Sequence, residues 1–117
     1  MEWLMWLKGL FRSFRYAFAG IAWALSSQRN LRIHAVATLV AVGLGFVQGI
    51  AAWEWCAVLF CVALVWGAEL LNSALEVLCD RVTTQEDPHI RRAKDAAAGA
   101  VLVCAIISVV VAAIVFL

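Results

Sequence analysis

Three long apolar stretches follow a mixed N-terminal segment in this chain. They run from about Ile33 to Ala52, from about Trp53 to Leu78, and from about Ala96 to Leu117. Each is close to the length of about 20 residues with which a helix crosses the hydrocarbon core of a bilayer. Helices that are apolar on every side leave no face for water, so a soluble bundle is a poor alternative. The pattern predicts three transmembrane helices.

The composition agrees with a membrane protein. Of the 117 residues, 66% are hydrophobic, whereas about 45 to 50% is usual in soluble domains. We predict an all-α integral membrane protein of one domain over residues 1–117. Its segments are a surface helix at 1–27 and transmembrane helices at 31–52, 53–82 and 89–117. The net charge of +1 indicates no basic surface for nucleic acid.

The N-terminal segment is amphipathic. One helical face carries Leu7 and Phe14, and the opposite face carries Lys8, Arg12 and Arg15. A helix of this kind lies in the membrane plane and attracts anionic lipid or phosphate. Arg12 and Arg15 are therefore candidates for substrate binding, although the same pattern also fits a helix that only anchors the chain.

The basic residues predict the orientation in the membrane. All nine Lys and Arg residues lie before the first apolar stretch or between the second and the third. Positive charge marks the cytoplasmic side of a membrane protein. We therefore expect the N-terminus and residues 79–95 in the cytoplasm, with the turn at 48–55 and the C-terminus outside.

Four polar side chains form a stripe near the end of the second apolar stretch: Glu69, Asn72, Glu76 and Asp80. Their spacing places them within an arc of roughly 80° on a helix. Ionisable groups are costly in hydrocarbon and mark functional sites, and clustered carboxylate and amide oxygens suit Mg²⁺. The predicted orientation puts this stripe near the cytoplasmic boundary, where a lipid headgroup can meet a water-soluble reactant. The alternative is that these groups only hydrogen-bond helices together.

Other polar residues in or near the spans are harder to interpret. Lys94 faces the same boundary, where an ammonium either neutralises phosphate charge or extends to the interface. His34 and His89 have no partner at ligand spacing, and we expect both to serve helix packing or interface hydration. No glycine-rich phosphate-binding motif occurs, so a nucleotide would have to bind without one.

The run from Ala68 to Arg81, followed by Ala93-Lys94-Asp95 and the small residues at 96–99, resembles the prokaryotic diacylglycerol kinase family. That family also contains the undecaprenol kinases, and the segments 14–20 and 29–34 look more like this branch. The likeness covers nearly the whole chain. It implies a homotrimer in the bacterial inner membrane, with three spans per subunit and active sites shared between neighbouring subunits. Such a protein uses MgATP to phosphorylate a lipid alcohol.

The resemblance also implies roles for individual residues. Glu69 would be the general base on the lipid hydroxyl and would contact that substrate, and Glu76 would hold Mg²⁺ on the phosphates. The nucleotide would be bound by a larger group: Tyr16, Asn72, Glu76, Asp80, Lys94 and Asp95. Phosphoryl transfer needs mostly positioning and charge neutralisation, which these residue types can supply.

One position departs from the family pattern. Just before the Arg-Asn pair that leads into the first span, the family usually has a Glu that contributes to metal binding, whereas this chain has Gln28. Gln keeps an acceptor oxygen but loses the negative charge. We therefore expect weaker Mg²⁺ binding.

Several functions remain open at this point. The preferred one is ATP- and Mg-dependent phosphorylation of undecaprenol, and the alternative within the family is a diacylglycerol kinase that makes phosphatidic acid. A small oligomeric transporter or channel would also carry intramembrane acids. A non-catalytic membrane scaffold would fit the substitution at Gln28.

Overall fold

The computed structural model describes residues 1–117 as four helices joined by short turns. They are α1 (Glu2–Ser27), α2 (Arg29–Gln48), α3 (Ala52–Val82) and α4 (Pro88–Phe116). The last three are long and apolar enough to cross a membrane. The predicted all-α fold, with three candidate spans after an N-terminal helix, is confirmed. α2 ends at Gln48, earlier than residue 52, where the apolar pattern placed the end of the first span.

The turn between α2 and α3 explains this earlier end. Gly49 has φ 64° and ψ 50°, a left-handed conformation that stops a helix and that glycine adopts at little cost. α3 then begins after Ala51, whose backbone N–H donates to Glu54 Oε1 at 2.9 Å. The Glu54 carboxylate thereby satisfies a free backbone donor at the start of the helix.

The other two connections are also stabilised by side chains. Asp87 caps α4, because its Oδ1 accepts from the backbone N–H of His89 at 2.8 Å and of Ile90 at 3.2 Å. Between α1 and α2 only Gln28 is non-helical. Arg32 Nη1 donates to the carbonyls of Leu25 at 3.2 Å and Ser26 at 2.9 Å. These bonds satisfy the last carbonyls of α1 and hold the corner between the two helices.

The helices α2, α3 and α4 run up, down and up. At one end, Gln48 Nε2 donates to the carbonyl of Phe116 at 3.4 Å, so the ends of α2 and α4 meet there. The opposite end gathers the α1–α2 corner, the end of α3 and the start of α4. We call it the charged end, because it contains Arg29, Arg32 and the basic residues between the last two spans.

The N-terminal helix α1 has one buried residue, Ala24, which lies near its C-terminal end. Most of its other side chains are exposed, including Trp3, Phe11, Phe14 and Phe18. Exposed aromatic residues on a helix that also carries basic residues are typical of a helix at the membrane surface.

Candidate active site

The polar stripe begins on the packed face of α3. Glu69 is 1% exposed and Asn72 is 7% exposed, and both lie among the few fully buried residues of the chain. The apolar members of this face are Val58, Val65 and Cys79, which recur at helical intervals. Glu69 and Asn72 therefore point toward the other helices and are shielded from solvent.

Two oxygens on this face have no hydrogen-bond partner. They are Oε2 of Glu69 and Oδ1 of Asn72, which lie one helical turn apart. An unpaired polar atom inside a protein costs free energy, so such atoms are rare unless a ligand, an ion or water satisfies them. Two in one place indicate a site for an external partner.

Exposure increases along the stripe toward the charged end. Glu76 is half-buried and Asp80 is exposed. Asp80 Oδ1 lies 2.6 Å from Nζ of Lys94, so the start of α4 brings its ammonium to the end of the stripe. Glu76 lies on the same face of α3, one turn before Asp80. The structure thus brings Glu69, Asn72, Glu76, Asp80 and Lys94 into one continuous polar strip.

An open groove of about 550 Å³ adjoins the exposed end of this strip. Its lining includes Asp80, Lys94, Asp95 and the loop at 83–87, and only one lining residue is hydrophobic. Pockets for small molecules occupy about 300 to 1,000 Å³. The groove therefore has room for a polar molecule beside the strip, at the end of the bundle that carries the cations.

The remaining predicted site residues lie elsewhere in the chain. Arg12, Arg15 and Tyr16 are exposed on α1, and the exposed fraction of Tyr16 is 67%. Gln28 is half-buried at the corner between α1 and α2. No group of three or more His, Cys, Asp or Glu side chains converges on a metal position within one chain.

The structure adds one residue to the neighbourhood of Glu69. Nε2 of His34, on α2, lies 3.8 Å from Oε2 of Glu69. We expected His34 to serve helix packing or interface hydration, because the sequence shows no partner at ligand spacing. Glu69 is far from it in sequence, and only the alignment of α2 with α3 brings the two together. The one available signal was that His34 begins the first span on the same side of the membrane on which the stripe lies.

Comparison with known proteins identifies the chemistry. The prokaryotic diacylglycerol kinase family model matches residues 15–116. An undecaprenol kinase of Bacillus subtilis (strain 168) is 36% identical over 95% of this chain and 90% of the relative. A diacylglycerol kinase of Synechocystis sp. is 43% identical over 85% of this chain, which spans 57% of that relative. A diacylglycerol kinase of Escherichia coli (strain K12) is 32% identical over 81% of this chain and 78% of the relative.

The match to the family model extends from the second half of α1 to the end of α4. The relatives are named as kinases of lipid alcohols. A kinase takes its phosphoryl group from a nucleotide such as ATP, and the three apolar helices fit a multi-pass membrane protein. This chain belongs to the prokaryotic diacylglycerol kinase family, and it is a lipid kinase.

Proposed function

We propose that the kinase transfers the γ-phosphoryl group of ATP to undecaprenol and so makes undecaprenyl phosphate. The undecaprenol kinase of Bacillus subtilis supports this choice of lipid, because the match covers nearly all of both chains. The observation that carries the chemistry is the Glu69 carboxylate, which is 1% exposed and begins a polar strip leading to an open groove.

In this proposal Glu69 is the general base. Its carboxylate takes the proton of the lipid hydroxyl, and the hydroxyl oxygen forms a bond to the γ-phosphorus of ATP. The bond from that phosphorus to the β,γ-bridging oxygen breaks, and ADP leaves with the electron pair. A lipid alcohol can reach a carboxylate near the membrane boundary while the nucleotide stays in the polar groove, so the strip suits both reactants.

The other members of the strip bind the nucleotide. The ammonium of Lys94 neutralises phosphate charge, and Asp80 holds that ammonium in place at 2.6 Å. Asn72 and Asp95 position the nucleotide from the two sides of the α3–α4 turn, and Tyr16 of α1 lies near its base or ribose. Arg12 and Arg15 attract the lipid substrate or its phosphate at the membrane surface.

The donor atoms of the strip fit Mg²⁺. Glu76 and Gln28 would hold it, since both offer the oxygen ligands that this hard cation prefers, and the unpaired oxygen of Asn72 lies one turn from Glu76. Mg²⁺ bound there supplies charge neutralisation on the phosphates.

The assembly proposed is a homotrimer in the inner membrane, with the charged end in the cytoplasm. Two observations support shared sites. Tyr16, Arg12 and Arg15 are exposed on α1, where a neighbouring subunit can reach them. Large apolar side chains are also exposed on every helix, so lipid or neighbouring subunits must cover them.

Purified protein in bilayers, given labelled ATP and a panel of undecaprenol, diacylglycerol and ceramide, tests the proposal. We expect undecaprenol to be phosphorylated fastest. The variant Glu69→Gln should insert normally and lose at least about 100-fold in turnover, because general-base catalysis contributes about 10² to 10⁴-fold. The matched control is Glu54→Gln, an acid at the other end of α3 whose capping acceptor is kept.

Retained turnover in Glu69→Gln would rule out the base. Diacylglycerol as the preferred acceptor would instead favour the activity named for the Synechocystis and Escherichia coli relatives. An ion-flux assay in the same vesicles distinguishes a transporter from a kinase.

A further inference from the structure

His34 faces the buried end of the strip. Its Nε2 lies 3.8 Å from Oε2 of Glu69, and the two side chains are 20% and 2% exposed. That oxygen makes no hydrogen bond. An ionised carboxylate only accepts hydrogen bonds, so the contact is favourable when Nε2 of the imidazole carries a hydrogen.

The helix that carries His34 is tied to α3 one turn away from this contact. Thr38 Oγ1 donates to the carbonyl of His34 at 2.7 Å and accepts from Nε1 of Trp66 at 2.9 Å. Both the donor and an acceptor position of the hydroxyl are used. Trp66 lies one turn before Glu69 on α3. These bonds therefore fix the position of His34 along the helix axis relative to Glu69.

We infer that His34 is a positioning residue for the base. Its imidazole holds Oε2 of Glu69 and leaves Oε1 to take the proton of the lipid hydroxyl. This inference rests on the proposed role of Glu69. Fixing one oxygen matters because a displacement of about 1 Å at a reacting group costs about 100-fold in rate.

Two roles for His34 predict different kinetics. A residue that only fills space between α2 and α3 affects stability, and replacements of similar polarity behave alike. A positioning residue affects the chemical step, so kcat falls while the KM values for ATP and lipid stay the same. The position of the donor atom then decides which replacements work.

The experiment compares His34→Gln, His34→Asn and His34→Leu in purified protein in bilayers. The amide nitrogen of Gln reaches the place of Nε2, whereas that of Asn is too short and Leu has no donor. We expect Gln to keep kcat within about threefold of the unmodified protein, and Asn and Leu to lose about 10 to 100-fold with unchanged KM. Thermal unfolding of each variant reports stability separately.

Equal kcat in all three variants, or an equal loss in Gln and Asn, would overturn the inference. If Leu does not fold, the comparison of Gln with Asn alone decides, since both are polar. Glu69→Gln separates the two proposals: if it is inactive while His34→Asn is fully active, only the role of His34 fails. If Glu69→Gln keeps its turnover, the proposed base itself fails. Combining His34→Asn with Glu69→Gln should cause no further loss, because the group being positioned is already gone.

Discussion

At the residue scale, Gln28 is the position at which the resemblance implies a departure from the family pattern. It is half-buried at the α1–α2 corner, where the chain is briefly extended with φ −108° and ψ 111°. Its backbone N–H bonds the carbonyl of Ala24 at 2.8 Å, so the corner itself does not depend on the side chain. A change of this side chain therefore tests its chemistry with little effect on the fold.

We predict that Gln28→Glu raises activity or lowers the Mg²⁺ concentration needed for half-maximal rate. A carboxylate restores the negative charge that a divalent cation prefers over an amide. The measurement is a Mg²⁺ titration of the kinase rate at fixed ATP. Gln28→Met, which has no acceptor oxygen, should require more Mg²⁺. Identical titrations for all three proteins would show that residue 28 is not at the metal.

The sequence contained enough information to predict the stripe and not enough to predict its partners. Glu69, Asn72, Glu76 and Asp80 lie on one helix, so helical periodicity alone aligns them. The Asp80–Lys94 contact needed only the position of the α3–α4 turn, which Asp87 and Pro88 mark in sequence. The approach of His34 to Glu69 depends on how α2 slides along α3, and local patterns contain no information about that.

At the element scale, the packing of α2 against α3 depends on one small residue. Gly45 is buried, and a Cβ at this position would lie 2.6 Å from Cη2 and 2.8 Å from Cζ2 of Trp55. The Trp55 ring also packs against Phe46, with ring centroids 4.9 Å apart. A larger side chain at position 45 would therefore displace the ring and separate the two helices at this end.

We predict that Gly45→Ala destabilises the protein by about 1 to 3 kcal/mol, the usual cost of overpacking. The matched control is Gly43→Ala on the same helix, where a Cβ meets nothing within 4 Å. That change should be neutral or slightly stabilising, since alanine favours helix over glycine. Thermal unfolding in detergent measures both. Equal stabilities would show that the ring yields to the methyl group without cost.

Hydrophobic length in the sequence predicts the number of helices better than it predicts where each helix ends. Hydrophobic length predicts three spans, and the structure has three. The residues after Gln48 are still apolar, so the apolar stretch continues to residue 52, whereas α2 ends at Gln48, at the start of the predicted turn at 48–55. The left-handed conformation of Gly49 ends the helix there. Glycine often marks a helix end, but the span was predicted from the apolar pattern and did not take this signal into account.

At the scale of the whole molecule, the two ends of the bundle differ in charge. The α2–α3 turn contains no Lys or Arg and has none beside it, whereas the helix ends at the opposite side of the bundle carry Arg29, Arg32, Arg81, Arg91, Arg92 and Lys94. The positive-inside rule then assigns the basic end to the cytoplasm. Cysteine labelling checks this assignment.

In a chain whose four native cysteines are replaced by alanine, we predict that Ala51→Cys reacts with a membrane-impermeant maleimide on intact cells. Gln85→Cys, in the exposed α3–α4 turn, should react only after the membrane is opened. Both positions are accessible in the structure, so burial does not explain a difference. If Gln85→Cys reacted on intact cells and Ala51→Cys only after the membrane was opened, the proposed orientation would be wrong and the strip would lie at the outer leaflet.

Shared active sites predict recovery of activity on mixing. Glu69→Gln subunits lack the base, and subunits with both Tyr16→Ala and Gln28→Ala lack two proposed site residues that lie outside α3 and α4. We expect each protein to be inactive alone, and trimers assembled randomly from equal amounts to recover about one quarter of the activity. Intact sites then combine one subunit's strip with a neighbour's α1. No recovery in verified mixed trimers would place each complete site within one chain.

The increase in exposure from Glu69 to Asp80 affects how well the enzyme avoids hydrolysing ATP without its lipid acceptor. Glu69 is 1% exposed and therefore shielded from bulk solvent, so it is poorly placed to deprotonate a solvent water while ATP occupies the exposed end of the strip. The nucleotide is then spent on an alcohol rather than lost to futile hydrolysis. On this view ATP is consumed only when the membrane delivers the lipid alcohol to a place that bulk water does not reach.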